Sequence, residues 1–324
     1  MKTRLTQALG IQHPILLAPM GMVAGGILAK AVSQAGGLGL IGGGYGDADW
    51  LRREFALAAG SRIGCGFISW SLAKKHELLD FVLERQPVAV MLSFGDLAPF
   101  ASTIKAADAK LICQVQTLSL AREAVDAGAD ILVAQGSEAG GHGLMRSTFT
   151  LVPEIADYLA SESPSTVLVA AGGVADGRGL AAALMLGADG VLVGTRFWAS
   201  TEAIVPSTFH AAVLASDGDT TLRTTVVDIA RHIEFPTPFT ARVLRTRFAT
   251  EWHGRESELA EPETQRCQEA RYWEAYRLGD VDNTCLLVGE AIGLIHEVQS
   301  ARSIVERIVR EAERLLPYSP EAAS

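Results

Sequence analysis

Eight short apolar runs, spaced through the first two hundred residues, constrain this chain more than anything else in it. They are PILLAPM (14–20), LGLIGG (38–43), RIGCGFI (62–68), VAVMLSF (88–94), KLICQV (110–115), DILVAQG (130–136), TVLVAAGG (166–173) and GVLVGT (190–195). Aliphatic and β-branched residues occupy both alternations of each run. That suits strands buried on both faces, as in a parallel sheet. Amphipathic stretches lie between them: LAKAVSQA from Leu28, then Ser71 to Arg85, Leu118 to Ala127 and Gly177 to Leu186. Eight strand–helix units filling about 200 residues predict an α/β chain folded as a (β/α)8 TIM barrel. A doubly wound open sheet is the other arrangement this alternation allows.

After Arg196 the rhythm stops. Residues 201–284 are richer in charge and aromatic side chains (FPTPF, TRFATEWHGRE, RYWEAY). They read as a helical and loop insertion, a lid or subdomain lining the substrate side. Residues 301–316 place apolar side chains at 304, 305, 308, 309, 312, 315 and 316, the period of an amphipathic helix. Such a helix could close the barrel or offer a homodimer face. The expected division is a barrel of residues 1–200 plus 285–318 and an insertion of 201–284. The tail YSPEAAS reads as frayed.

Composition excludes several functions. The net charge is −9 with no basic block, so phosphate neutralisation along a nucleic acid is not expected. The four cysteines form no CxxC pair and read as reduced thiols of a cytoplasmic protein. No charged side chain occurs from Leu5 to Ala29, but Pro14, Pro19 and four glycines interrupt that stretch. It reads as a loop, a buried strand and a helix start, neither a signal peptide nor a membrane span. No histidine pair or acidic cluster has metal-ligand spacing, so no metal site is expected.

In a parallel barrel the chemistry lies at the carboxyl ends of the strands. Small residues end the seventh run (AAGG, 170–173) and the eighth (GT, 194–195). Two such ends side by side let backbone N–H groups close round a phosphate, and a helix start at ADGRG, with Asp176 as cap, would add its dipole. No Walker A or GxGxxG fingerprint is present, so a mononucleotide phosphate is the expected ligand. The sixth run ends in GSEAGGHG (136–143). Its glycines make a loop open to close approach by a flat ligand. His142, placed there, titrates near neutrality and suits acid–base work. Glu138 could orient that ring or cap a backbone N–H.

APMGMVAGG, SQAGGLGLIGGG, AQGSEAGGHG and AAGGVADGRGLAAALMLGADGVLVGTRF, in this order, together resemble the nitronate monooxygenase family, as does GEAIGLI near 289–295. The resemblance implies an FMN-dependent barrel. It places Ala18, Pro19 and Met20 along the isoalloxazine edge and Gln114 near the N1–C2=O region. It runs Gln135, Gly136, Ala139 and Gly140 beside the cofactor. It gives the phosphate to Ala171, Gly172, Gly173, Gly194 and Thr195, and makes His142 the catalytic histidine. On the third strand, where many members carry asparagine, this chain has Gly64-Cys65-Gly66-Phe67. The implied reaction is oxidation of alkyl nitronates with O2 to a carbonyl compound and nitrite. The alternative is an FMN reductase taking hydride from NAD(P)H to a quinone or an enoyl thioester. A phosphate-binding barrel without flavin is the third reading.

Overall fold

The computed structural model describes residues 1–316, so the YSPEAAS tail and the last two residues of the expected barrel segment lie outside the described residues. Each of the eight apolar runs contains a strand: β1 (Ile15–Leu17), β2 (Leu40–Gly44), β3 (Gly64–Ile68), β4 (Ala89–Ser93), β5 (Lys110–Val115), β6 (Ile131–Gln135), β8 (Val167–Ala171) and β9 (Gly190–Val193). All pair in parallel, in the order β1-β9-β8-β6-β5-β4-β3-β2. The ring closes where Leu17 N–H donates to Leu38 O at 2.9 Å and Leu38 N–H to Ile15 O at 3.0 Å. This is the TIM barrel, not the open sheet.

Closure explains why the runs are apolar on both alternations. Leu16, Leu40, Met91, Ile112, Val133, Val169 and Leu192 fill the interior as one cluster. Their strand neighbours Leu17, Ile41, Val90, Leu111, Leu132, Ala170 and Val191 pack outward in the layer shared with the helices. Two buried free thiols, Cys65 and Cys113, belong to this packing, and a third, Cys285, is buried with Val243, Phe248 and Tyr272; burial pushes Cys113 and Cys285 up to about 12.

Three local expectations change. Residues expected to form an N-terminal loop contain the helix Arg4–Leu9. Thr3 and Thr6 form a reciprocal cap, and Gly10 ends the helix at φ 62°. Leu5 and Leu9 then plug the barrel floor. The Ser71–Arg85 stretch is two short helices, Ser69–Leu72 and Glu77–Leu83, separated at the Lys74-Lys75-His76 segment. The late insertion contains strands as well as helices. There β10 (Thr221–Thr224) and β11 (Thr240–Leu244) form an antiparallel pair, and β11 also pairs with β7 (Gly141–Gly143). Strands of three to five residues carry too little alternation to be read against a charged background.

The helix Ala301–Leu315 buries Ile304, Val305, Ile308, Val309 and Ala312. It packs on the helices Gly177–Met185 and Gly26–Gln34. Of the two roles open to it, closing the barrel is the one its apolar face serves. Among the described residues no helix is long and apolar enough to cross a membrane.

Candidate active site

Side chains alternate along a strand, so the interior layer fixes what stands above it. Counting on from the inward residues, and across from Leu40 to its β3 partner Gly64, the next inward positions are Ala18, Gly42, Gly66, Ser93, Gln114, Gln135, Ala171 and Gly194. Six of these carry little or no side chain. All but Gly42 line one cavity at the carboxyl end of the barrel. The floor is therefore broad and shallow, a seat for a flat group. Gly66 is required there because a Cβ would collide with the Pro19 ring, which crosses above it.

The same cavity is lined by Pro19, Met20, Ala139, Gly140, His142, Gly172, Gly173 and Thr195. Of the residues that the resemblance places at the cofactor or the reaction, Gly136 alone stands outside the lining. A Cβ on Gly136 would strike Thr148 and Glu138, and one on Gly140 would come within 2.6 Å of Gly289 N. Gly141 needs its φ of 74°. The glycines around His142 thus let the loop pass between protein neighbours; Gly136 is not held open for a ligand. Gly173 and Gly194 differ: an added Cβ there meets nothing nearer than 3.5 Å.

At the rim, the N–H groups of Gly172, Gly173, Gly194 and Thr195 have no acceptor among the described residues. Thr195 Oγ1 accepts from Gly289 N at 2.9 Å, which leaves its hydroxyl hydrogen available. Four free donors and a hydroxyl suit an anion. The helix Gly177–Met185 contributes less than expected. Its first-turn donors are taken: Asp176 caps Arg178 and Gly179, and Glu311 accepts from Gly177 at 3.1 Å.

Glu138 takes the capping role. Its carboxylate accepts from Thr148 N at 3.0 and 3.1 Å and from Thr148 Oγ1 at 2.9 Å, at the start of the helix Thr148–Glu162. The ring of His142 is held instead by Asp228, whose two oxygens lie 2.9 Å from Nε2. Asp228 also accepts from the buried Arg231 at 3.2 Å. Phe235 stacks flat on the imidazole, 3.5 Å between centroids and 3° between planes. Phe94 meets the ring edge-on at 6.1 Å. Burial lowers the His142 pKa from its ordinary 6.5, against the pull of Asp228, so the ring is neutral at neutral pH.

Beneath the histidine lies a glutamine relay. Gln135 Oε1 accepts from Gln114 Nε2 at 2.9 Å and Gln116 Nε2 at 2.8 Å, and Gln135 Nε2 donates to His142 O at 3.0 Å. The insertion supplies Phe209, Arg231, Tyr272, Trp273 and Tyr276 to the cavity. Sequence reasoning missed Asp228, Arg231, Phe235 and Gln116. Gln116 had a signal, being two residues beyond Gln114. The others lie in the insertion, eighty or more residues from His142, with nothing local to link them.

A family model for nitronate monooxygenase matches residues 2–60 and 69–311. The nitronate monooxygenase npaC of Metarhizium robertsii is 36% identical, covering 93% of this chain and 91% of that protein. The structure of FabK from Thermotoga maritima superposes with a TM-score of 0.85 at 33% identity, covering 97% of each chain. Nitroalkane oxidase from Streptomyces ansochromogenes superposes at 0.77 with 26% identity, covering 95% of this chain and 98% of that one. With a barrel, a flat seat, an anion rim and a buried neutral histidine in one cavity, this chain is an oxidoreductase that belongs to the nitronate monooxygenase family, a family of flavin-dependent monooxygenases.

Proposed function

We propose that the protein binds FMN and oxidises alkyl nitronates with O2, releasing a carbonyl compound and nitrite. The observation that carries this reading is His142: a buried, neutral imidazole on the cavity wall with one ring nitrogen engaged and the other free. A base of that kind suits removal of a weakly acidic proton next to a nitro group. The cavity fits FMN. The floor of small inward residues suits the isoalloxazine, with Ala18, Pro19 and Met20 along its edge and Ala139 and Gly140 beside it. Gln114 would present its carboxamide toward N1–C2=O. Ala171, Gly172, Gly173, Gly194 and Thr195 would hold the phosphate. When bound, FMN supplies one- and two-electron chemistry and the reaction with oxygen.

The protein's own residues have separate tasks. His142 takes the α-proton of a neutral nitroalkane on its free nitrogen, or orients a substrate that arrives ionised. Residues 201–284 act as a lid, with Phe235 stacked on the histidine and shielding that face from water. The three buried free thiols accord with work in the cytoplasm.

The second reading, an NAD(P)H-dependent reductase, draws support from the high structural similarity to FabK. Against it, Arg231 is the sole Lys or Arg among the described lining residues, and Asp228 already balances it. Among the described lining residues a dinucleotide would find no basic side chain without a carboxylate partner for its phosphates. The test is anaerobic reduction of the purified protein by NADH, NADPH and a nitronate in turn, following the flavin band. Bleaching by the nitronate alone supports the proposal; rapid bleaching by either nicotinamide replaces it with the second reading. A colourless protein that takes up no FMN removes both.

A further inference from the structure

We infer that Asp228, delivered by the insertion, is a positioning residue that decides which nitrogen of His142 faces the cavity. The inference rests on the reading of His142 as the acid–base group. An ionised carboxylate can only accept hydrogen bonds. Both Asp228 oxygens lie 2.9 Å from Nε2, so the imidazole hydrogen sits on Nε2 and the lone pair on Nδ1. Nδ1 has no hydrogen-bond partner among the described residues, and His142 lines the cavity.

The rest of the insertion completes the clamp. Phe235 covers one face of the ring. β11 fixes the backbone, with Ala241 opposite His142 in the ladder. Arg223 Nη1 and Arg242 Nε hold Ser137 O at 3.3 and 2.9 Å, which secures the loop that leads to the histidine. The charged groups facing the ring are Asp228 and Arg231 from one segment and Arg223 from β10. Arg231 gives Asp228 the opposite charge that a buried carboxylate needs. Tyr45, reaching in from the end of β2, has its hydroxyl 3.4 Å from Arg231 and is pushed up to about 12 by burial, so it stays neutral. A histidine free to exchange its hydrogen would present a basic nitrogen to substrate only part of the time. Here the carboxylate removes that freedom before substrate arrives.

The test is 15N NMR of the histidine-labelled holoenzyme above the imidazole titration, with His142→Gln used to identify the signals. The expected result is a hydrogen on Nε2 and a bare Nδ1. Asp228→Asn offers either a donor or an acceptor and should give a mixture of tautomers. Because it also unpairs the buried Arg231, Asp228→Asn/Arg231→Gln is measured beside it, with flavin content as the check on folding. In folded variants, kcat/KM for a neutral nitroalkane should fall roughly 10²–10⁴-fold. Turnover of the preformed nitronate should fall much less; a purely structural role would lower both equally and would overturn the inference. A wild-type His142 carrying its hydrogen on Nδ1, or on both nitrogens, overturns it whatever the variants do. An Nε2–H ring that the variants disturb, in a protein that turns over no nitronate, supports the inference and rejects the proposed substrate.

Discussion

His142 reaches the cavity with one ring nitrogen already committed, and that shapes its pH behaviour. Desolvation lowers its pKa and Asp228 opposes this, leaving it below 6.5. The working form is neutral, so kcat/KM on a nitroalkane should rise from acid and level off, with a midpoint below 6.5. The folded protein resists protonating this ring while the unfolded chain does not. The unfolded state therefore binds more protons in the acid range, and this contribution to stability, present above 6.5, is lost as pH falls through the folded value. His142→Ala should keep its flavin, lose turnover of the nitroalkane roughly 10²–10⁴-fold and lose the acid limb attributable to this ring, as pH-dependent kinetics will show. The relay beneath it makes a stability prediction. Gln135→Leu strands two amide donors and the His142 carbonyl. The cost is about 1–3 kcal/mol for each group left buried and unpaired, measured by urea unfolding.

Strand ends build the floor of this site, and helices of the insertion supply much of its far wall. The inward position above the packed layer is small on six strands and glutamine on two, and that single layer separates core from cavity. The glycines at these ends have two kinds of duty, which a variant pair can tell apart. Gly194 has a φ of −103°, where a side chain brings no left-handed strain, and an added Cβ meets ordinary contacts only. Gly194→Val should therefore fold but reach into the proposed phosphate seat; the absorbance ratio of flavin to protein should fall severalfold with little change in melting temperature measured on the stripped protein. Gly136→Ala should do the reverse, since its Cβ would strike Thr148 and Glu138. It should melt earlier yet retain flavin whenever folded. Normal flavin content in Gly194→Val would remove the rim from the phosphate assignment.

At the scale of the whole molecule, the barrel and the insertion meet at the site, and neither completes it alone. β7 belongs to the sixth barrel unit by sequence but to the insertion's sheet by hydrogen bonding. A ligand seated between them joins the two. Adding FMN to stripped protein should raise the melting temperature with the logarithm of its concentration, the added stability reaching about 2.7 kcal/mol at a hundred times the dissociation constant. Differential scanning calorimetry with FMN and with riboflavin separates the contributions: if the rim grips the phosphate, FMN stabilises far more than riboflavin.

The amino-acid sequence by itself determined a parallel sheet covered on both faces, because eight runs apolar on both alternations have to be buried on both sides; that the sheet closes into a barrel was decided by the tertiary contacts of Leu38 with Ile15 and Leu17. The sequence also marked the strand ends, because small residues end the sixth, seventh and eighth runs, but which alternation turns inward, and so places Gln114 and Gln135 in the seat, was decided by the packing of the closed barrel. It marked His142 by its place after a strand. The tertiary structure decided what holds that histidine. Glu138, four residues away, caps a helix, while Asp228, eighty-six positions on, binds the ring. Local patterns report burial, since burial is periodic along one element. A hydrogen bond between two elements leaves no period in either, so the partner of His142 became visible only when the chain had closed.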